Sequence, residues 1–399
     1  MRQDAAPGIT CLTYCKLPYA GGGWPQSCVN ILSQFASQSI RPILFVPRRR
    51  AEGPENIEFR QCLHFPFARL PWSLVRSMAD RQLAQDFRRA LDAADPQSTI
   101  AYFWPGSPPE LVQHAKQLGI VTVREMINCC MATAKPILDR AYRRAGLAPA
   151  HAITEEAAAA ELLELALYDF VFASNPCAEA SLVEAGVSAE RILPTSFGWE
   201  PARFAGTGAV ERGDGFRALF VGTACVRKGI PELLEAWKRS GIAGELLIVG
   251  DVEPCLGRRL AEAAQHGVRL MPFTANLGDL YRSCDAFVFP TLEEGGPQVT
   301  LEAGGCGVPV ITTPMGASRM VDDGRNGLVV PPGDVASLAA ALVHLSADAA
   351  LRQRFARQIA IDAQAFAYDR VSIARAGILK GLLGVRSSPE LEFERVVQN

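Results

Sequence analysis

The sequence predicts an α/β protein made of two domains with parallel sheets. A chain of 399 residues is longer than one ordinary hydrophobic core. Short apolar runs of strand length alternate with helical patterns through both halves, as in parallel-sheet proteins. Between the two series lies GWEPARFAGTGAVERGDG, which has loop composition and no periodicity. We therefore expect a first domain over residues 1–197, a linker over 198–215 and a second domain over 216–365.

The elements follow in order along each half. Strand candidates of the first half are ITCLTYCKL, IRPILFVP, TIAYFW, IVTVREM and DFVFAS, with helical patterns such as WSLVRSMADRQLAQDFRRALDAA and EEAAAAELLELAL between them. The second half restarts with the strand FRALFVG and the helix GIPELLEAWKRSG, followed by the strand candidates ELLIVG, VRLMPF, AFVFP, PVITT and LVVPP. A last helical pattern covers residues 335–383 and is broken near Tyr368. The charged tail 386–399 is expected to be poorly ordered.

Composition excludes several classes of protein. Apolar residues make up 49% of the chain and charged residues 21%, which is typical of a soluble globular protein. A net charge of −2 gives no general attraction to nucleic acid or membranes. The amino terminus lacks an apolar signal core, and no run reaches the roughly 20 apolar residues of a membrane span. The eleven cysteines include no CxxC pair, and the histidines show no metal spacing. We expect reduced thiols, a cytoplasmic location and no metal site.

The most informative segment is EGGPQVTLEAGGCGVPV, residues 294–310. It follows one apolar run and leads into another, so it predicts a strand, a glycine-rich turn with Gly295 and Gly296, a short helix and a second strand. Pro297 suits the first helical position. The free amides of Gln298 and Val299 would then form a phosphate site at the positive end of the helix dipole.

Two carboxylates, Glu294 and Glu302, flank this predicted phosphate site at a spacing of eight positions. A carboxylate repels phosphate but accepts hydrogen bonds from hydroxyl groups, such as those of a sugar and a ribose. The segment therefore predicts a nucleotide-sugar site from its residues alone.

A second motif, FVGTACVRKGIPELLEAW, opens the second domain. The strand ends at Gly222, Thr223 follows, and Arg227 and Lys228 precede the next helix. The carboxyl edge of an open α/β sheet faces the ligand crevice, where two cations suit a diphosphate leaving group. A solvated basic pair is the alternative. It is less favoured because cations are unfavourable near the positive end of a helix dipole.

The first domain carries a glycine loop, Gly21, Gly22 and Gly23, between its first strand and the helical pattern VNILSQFASQ. Gly22 and Gly23 are candidates for close backbone approach to a ligand. The loop lacks GxGxxG, so it is not a dinucleotide fingerprint. A flexible turn explains it equally well.

Together, the motifs RKG, EGGPxxxLEAxxxGxPVI and DGxNGLVVPPGD resemble the family 4 glycosyltransferases, most clearly over residues 216–342. That family has the GT-B fold, two Rossmann-like domains facing an interdomain cleft, and retains anomeric configuration. The resemblance implies that a helix near 366–385 returns to the first domain. It further implies that Glu294 contacts the donor sugar, Glu302 the ribose, Lys228 the diphosphate, and that residues 295–299 offer backbone amides.

The chain departs from the family pattern at two places. Thr223 stands where the family usually has an arginine, and Arg227 could supply that charge from four residues on. Many members have a histidine at a strand end of the first domain near the reacting sugar. The corresponding strand ends here lack histidine, so Trp104, Arg124 or Glu125 is expected in that neighbourhood.

The resemblance implies a metal-independent, retaining glycosyltransferase with no cofactor, which uses a nucleotide diphosphate-sugar as co-substrate. The chain has no Asp-x-Asp motif of metal-dependent sugar-nucleotide chemistry. The acceptor, whether sugar, lipid or small molecule, is not indicated, and no nucleic-acid partner is expected. The alternatives are a catalytically degenerate nucleotide-sugar-binding or scaffold protein, and another GT-B enzyme such as a sugar-nucleotide epimerase.

Residues 48–89 are locally basic, with the apolar residues Trp72, Leu74, Val75 and Met78 nearby. This pattern could dock on an anionic membrane surface. A solvated helix face above a core stripe is the preferred interpretation.

Overall fold

The structure is a computed structural model and describes residues 8–206, 208, 210–212, 214–274 and 276–384. The expected tail, 386–399, lies outside the described residues. The strands form two sheets, one of seven strands and one of six, in which all pairs of neighbouring strands are parallel. The predicted α/β class with two parallel sheets is confirmed.

The first sheet has the order β3-β2-β1-β4-β5-β6-β7. Its strands are β1 Ile9–Tyr14, β2 Ile40–Val46, β3 Glu58–Gln61, β4 Thr99–Phe103, β5 Val121–Met126, β6 Phe170–Ala173 and β7 Ile192–Pro194. The helices of this half are α1 Gly23–Leu32, α2 Trp72–Asp92, α3 Pro109–Gln117, α4 Met131–Arg144, α5 Glu155–Leu165 and α6 Pro176–Glu184. Central strands such as β4 are buried along their whole length because helices cover both faces of the sheet.

The second sheet has the order β10-β9-β8-β11-β12-β13. Its strands are β8 Phe216–Val221, β9 Gly244–Val249, β10 Val268–Met271, β11 Ala286–Phe289, β12 Val310–Thr312 and β13 Gly327–Val329. Its helices are α7 Ile230–Ser240, α8 Gly257–Ala263, α9 Leu277–Arg282, α10 Gln298–Gly305, α11 Pro314–Ala317, α12 Val335–Ala347 and α13 Ala349–Asp362. The single helical pattern over 335–362 is thus two helices, because Asp348 ends α12 and caps α13 through the amide of Leu351.

The chain crosses from the first half to the second near Trp199 and returns near Tyr368, and the two crossing segments lie side by side. Trp199 donates its backbone amide to Phe366 at 3.0 Å and accepts a hydrogen bond from the amide of Tyr368 at 3.0 Å. The indole of Trp199 donates to the carbonyl of Ala363 at 2.8 Å. The last helix, α14 Tyr368–Gly384, then packs against α1 of the first half. The outgoing and returning segments are therefore joined by direct hydrogen bonds.

A buried ion pair fixes α14 to the first sheet. Arg375 donates to both carboxylate oxygens of Glu125 at 2.6 and 3.1 Å, and both side chains are fully buried. Arg375 also donates to the carbonyl of Ser196 at 3.0 Å and to the hydroxyl of Ser174 at 2.9 Å. The carboxyl-terminal helix is consequently an integral part of the first domain's core.

The cysteines are dispersed through the two cores. All eleven are free, and seven of them are buried. Within the described residues, no cluster of histidine, cysteine, aspartate or glutamate could hold a metal ion. Among the described residues, no single helix is both long enough and apolar enough to span a membrane. One pair of helices, Val335–Ala347 and Ala349–Phe366, meets the length and hydropathy requirement when the two are taken as one segment, but the pair is bent by 100°.

Candidate functional site

Two loops of the second domain meet at the carboxyl edge of its sheet. β8 and β11 are neighbouring parallel strands, so the loops that follow them start side by side. The loop after β8 leads to Arg227 and Lys228, and the loop after β11 holds Glu293, Glu294 and the glycine pair. This edge of an open α/β sheet is the usual position of a ligand crevice. The structure therefore brings together the two motifs that the sequence analysis selected separately.

Lys228 and Arg227 lie on a short 3-10 turn, Val226–Lys228, which ends at Gly229 with a φ of 71°. A Cβ atom at Gly229 would come within 2.1 Å of the carbonyl oxygen of Pro290, so the position requires glycine. The ammonium of Lys228 lies 3.9 Å from Glu294 and 5.5 Å from the centroid of the Phe289 ring. Lys228 thus points into the junction of the two loops, and among the described residues the distant Glu294 is its one ion-pair partner.

Arg227 has closer partners. One of its terminal nitrogens lies 3.3 Å from the Glu293 carboxylate and 3.4 Å from that of Glu294. Burial opposes the charged guanidinium, but the two carboxylates outweigh it and raise the pKa of Arg227 above its ordinary value. The positive charge of Arg227 is therefore already balanced within the protein, and Lys228 is the cation with more freedom to meet an anionic ligand.

Glu293, which the sequence analysis did not select, connects the two halves. Its carboxylate is almost fully buried and accepts a hydrogen bond from the backbone amide of Cys129 at 3.1 Å, just after β5 of the first domain. Burial raises the pKa of Glu293, against the opposing effect of Arg227. The adjacent acids at 293 and 294, in the loop that follows the buried strand β11, were the available signal.

The glycine pair is in contact with the first domain. A Cβ atom at Gly295 would lie 2.2 Å from the carbonyl carbon of Ile127, and one at Gly296 would lie 2.3 Å from the ring of Phe197. Both distances are far below normal contact. The absence of side chains here thus permits the two domains to approach, in addition to any contact with a ligand.

Helix α10 begins one residue later than expected. Pro297 occupies its N-cap and Gln298 is the first helical residue. The first amides of a helix, here including those of Gln298 and Val299, have no intrahelical acceptors. The Gln298 side chain donates to the hydroxyl of Ser27 at 3.0 Å and accepts a hydrogen bond from the Tyr368 hydroxyl at 2.6 Å. Its amide group therefore binds α1 and α14, which both belong to the first domain.

Glu302 lies one helical turn further along α10 and is buried. Its carboxylate accepts a hydrogen bond from the Tyr281 hydroxyl at 3.3 Å and lies 3.9 Å from the guanidinium of Arg203. Burial raises the pKa of Glu302, against the smaller opposing effects of Arg203 and Tyr281. Glu302 thus retains acceptor capacity in a sheltered position.

Gly222 and Thr223 follow β8 directly. Gly222 has a φ of 132°, and a Cβ atom there would meet the Lys228 ammonium at 2.7 Å, so this glycine leaves space for the lysine. Thr223 is exposed.

The glycine loop of the first domain leads directly into α1. The helix begins at Gly23 rather than at VNIL, and Gly22 is its N-cap in an extended conformation. A Cβ atom at Gly22 would meet nothing within 4 Å, so this position borders open space. Trp24, the residue after Gly23, stacks on Trp104 with ring centroids 5.7 Å apart.

Arg124 and Glu125, which were expected near the reacting sugar, are engaged in ion pairs inside the first domain. Both are buried, and side chains alternate along β5. Arg124 pairs with Glu164 at 3.1 Å on one side, and Glu125 pairs with Arg375 on the other. Trp104 is also buried, although its indole nitrogen has no partner among the described residues.

The sequence of the second domain resembles known proteins. Residues 215–348 match the family model described as Glycosyl transferases group 1. The chain is 34% identical over 169 residues to a D-inositol 3-phosphate glycosyltransferase of Pseudarthrobacter chlorophenolicus, covering 41% of this chain and 39% of that protein. It is 32% identical over 148 residues to the capsular polysaccharide biosynthesis glycosyltransferase CapM of Staphylococcus aureus, covering 35% and 39%. The chain thus spans well under half the length of these curated relatives.

Solved structures resemble the whole chain. The sucrose-phosphate synthase of Thermosynechococcus elongatus has a TM-score of 0.70 at 19% identity and covers 94% of this chain and 100% of that one. WaaG, a glycosyltransferase involved in lipopolysaccharide biosynthesis, has a TM-score of 0.64 at 18% identity, covering 93% and 100%. Anabaena HepE in complex with UDP-glucose has a TM-score of 0.63 at 15% identity, covering 93% and 99%.

The molecule therefore has the two-domain GT-B architecture. Its second domain resembles the glycosyl transferases group 1 family over residues 215–348.

Proposed function

We propose that the protein is a retaining, metal-independent glycosyltransferase that moves a sugar from a nucleotide diphosphate-sugar to a hydroxyl group. The observation that carries this proposal is the position of Lys228. Its ammonium lies at the junction of two strand-end loops, beside Glu294 and next to the backbone of Gly222. A cation at this point can bind a diphosphate while Glu294 accepts hydrogen bonds from sugar hydroxyls.

Each residue of the site has a role that follows from its charge. Lys228 stabilises negative charge that grows on the diphosphate as its bond to the sugar breaks. The first amides of α10 supply partial positive charge without a countercharge. Glu302, which is sheltered and one turn away, accepts hydrogen bonds from the ribose. Arg227 acts mainly on Glu293 and Glu294, which it holds at 3.3 and 3.4 Å.

In the reaction, the bond between the sugar's anomeric carbon and the diphosphate oxygen breaks, and a bond to the acceptor oxygen forms on the same face. The proton of the acceptor hydroxyl passes to the departing phosphate oxygen. Closure of the first domain on Gly295 and Gly296 excludes water, which would otherwise hydrolyse the donor.

UDP-sugars are the donors to test first, because the structural neighbour HepE was solved with UDP-glucose. A panel of nucleotide-sugars is screened by thermal shift, where a ligand at 100 times its Kd adds about 2.7 kcal/mol to the free energy of unfolding. The same panel is then followed for release of nucleotide diphosphate with and without EDTA. We expect one donor class to bind and to be turned over with EDTA present.

Binding without release of nucleotide from any donor would favour the nucleotide-sugar-binding or scaffold alternative. Isomerised sugar-nucleotide formed without acceptor would identify an epimerase. Retention itself is tested by NMR of the glycoside product, whose anomeric configuration should match that of the donor.

A further inference from the structure

The largest exposed apolar side chains of the described residues are not evenly distributed. Four of the eleven lie within ten residues: Phe65, Phe67, Leu70 and Leu74, with 75%, 47%, 39% and 74% of their surface exposed. We call residues 65–74 the apolar projection. It follows β3, at the same carboxyl edge of the first sheet that faces the second domain. Clusters of this kind mark interaction surfaces more often than single exposed residues do.

The apolar projection is held in place by a buried arginine. Arg48 is 4% exposed, donates to the carbonyls of Ala68 and Leu70 at 3.4 and 2.8 Å, and lies 5.2 Å from the centroid of the Trp72 ring. These contacts fix the backbone while the side chains of Phe65 and Leu74 remain outside. The exposure is thus built into the fold.

Helix α2 extends the surface with basic residues. Its buried stripe is Val75, Ala79, Leu83, Phe87 and Leu91. The opposite, exposed stripe at helical spacing is Leu74, Ser77, Arg81, Gln85 and Arg88. The outer face of α2 therefore begins with an apolar residue and continues with cations.

The charge of this region differs from that of the protein. Residues 64–89 contain five arginines and two aspartates, a formal +3, while the whole chain carries −2. The aspartates are engaged by Arg76 and Arg89 at 4.0 and 3.1 Å. Arg69, Arg81 and Arg88 form no ion pair with any residue that the structure describes. Exposed cations flanking apolar side chains complement an anionic lipid surface.

A groove beside the projection has the same character. It has a volume of about 990 Å³ and is lined by Arg49, Arg50, Arg60 and Arg89, together with Glu52 and Asp86. Its cations outnumber its acids by two to one. The sequence favoured a solvated helix face for this region, but the exposed apolar cluster beside it was not visible there. We propose that the apolar projection, the outer stripe of α2 and this groove dock the first domain on a membrane containing anionic lipids.

The test uses flotation of the full chain with vesicles of phosphatidylcholine alone or mixed with phosphatidylglycerol. We expect binding only to the mixed vesicles, and weakening by salt because surface charges are screened. Phe65→Ser/Phe67→Ser/Leu74→Ser should weaken partition about tenfold or more, since three apolar side chains no longer enter the interface. The matched control is Leu163→Ser/Val183→Ser, two exposed apolar residues elsewhere in the first domain, which should not change partition.

The charge contribution is tested separately. Arg69→Gln/Arg81→Gln/Arg88→Gln should weaken partition on the order of 10²-fold, because each basic residue near an anionic surface contributes about a fivefold factor. Arg258→Gln/Arg354→Gln/Arg357→Gln removes the same charge from exposed positions of the second domain and should have little effect.

Both sets replace exposed residues, so the thermal unfolding midpoint and nucleotide-sugar binding should match the unmodified protein. Equal binding of the unmodified protein to both vesicle types would overturn the proposal. Undiminished binding by the Phe65→Ser/Phe67→Ser/Leu74→Ser variant would also overturn it. So would a concentration-dependent dimer that the Phe65, Phe67 and Leu74 substitutions abolish, since the surface would then bind a second copy.

Discussion

The carboxylate of Glu293 accepts a hydrogen bond from the backbone amide of Cys129 at 3.1 Å, across the boundary between the two domains. The same carboxylate lies 3.3 Å from Arg227. One buried acid thus links the basic turn of the second domain to the strand end of the first. Positioning of the cationic turn and closure of the domains are therefore coupled through a single side chain.

Replacing Glu293 with alanine should weaken the positioning of the cationic turn and the closure of the domains without removing a group that contacts the donor. The Cys129 amide would be left buried without an acceptor, which costs about 1–3 kcal/mol. We expect a lower thermal unfolding midpoint and weaker closure, seen as a higher KM for the donor. Glu293→Gln retains an acceptor oxygen and should lose less stability than Glu293→Ala. Equal stability of the alanine variant and the unmodified protein would show that the contact is not formed in solution.

Lys228→Ala removes the cation assigned to the diphosphate. Loss of one such contact in a sheltered site typically costs about 2.7–4 kcal/mol of transition-state stabilisation, a 10²–10³-fold loss in kcat. Lys238→Ala is the control, because that lysine is exposed on α7. Turnover is measured as nucleotide release under donor saturation. Unchanged turnover in a folded Lys228→Ala protein would remove the basis of the proposed mechanism.

The buried strands could be predicted from sequence, because both faces of a parallel sheet are covered and the strands are continuously apolar. β3, EFRQ, and β7, ILP, lie at the sheet edges and were not predicted. β3 is polar and partly exposed, and β7 has three residues and ends in proline. Neither carries the run of apolar residues on which the strand predictions depended.

Those parts of the site that consist of residues close together in the sequence could be predicted. The Gly295 loop and the Lys228 turn are short motifs, and the structure brings them together as strand-end loops. Glu293 was missed because its partner, Cys129, is 164 residues away. The ion pairs of Arg124 and Glu125 were not predicted, because a strand-end position does not show which helix each side chain faces. Their partners lie on α5 and α14, which spacing alone could not indicate.

Gly295→Ala tests whether close approach of the domains is needed. The new Cβ would lie 2.2 Å from the backbone of Ile127, which cannot move aside as a side chain could. Displacement of the domains by about 1 Å should reduce turnover about 10²-fold. Small-angle scattering in the presence of donor should show a larger radius of gyration.

Gly377→Ala is the matched control for that substitution. It lies within α14 with nothing within 4 Å of the added Cβ, so it should stabilise the fold by about 0.5–1 kcal/mol without loss of turnover. Full turnover by Gly295→Ala as well would show that the approach at Gly295 is not required.

Glu302→Gln should be more stable than the unmodified protein at neutral pH. Burial raises the pKa of Glu302 in the folded state, so the ionised form costs stability. Between the ordinary carboxyl value of 4.5 and the raised folded value, the folded state binds more protons, and stability falls as pH rises. The stability advantage of glutamine should therefore grow with pH in urea titrations, while donor binding weakens about 10–100-fold from loss of a charged acceptor. A pH-independent difference would contradict the assignment of the cost to ionisation.

The Arg375–Glu125 ion pair is expected to contribute to the stability of the packing of α14 against the first domain. Both side chains are fully buried, so Arg375→Leu leaves an unpaired carboxylate in the core, at a cost of about 3–5 kcal/mol. Arg375→Leu/Glu125→Leu removes both charges and should recover much of that loss, because the apolar pair needs no desolvation of ions. Denaturant titrations of the two single variants and the double variant give the coupling energy. Additive losses in the double variant would mean that the two charges stabilise α14 independently, through partners such as Ser196 and Tyr102, rather than through each other.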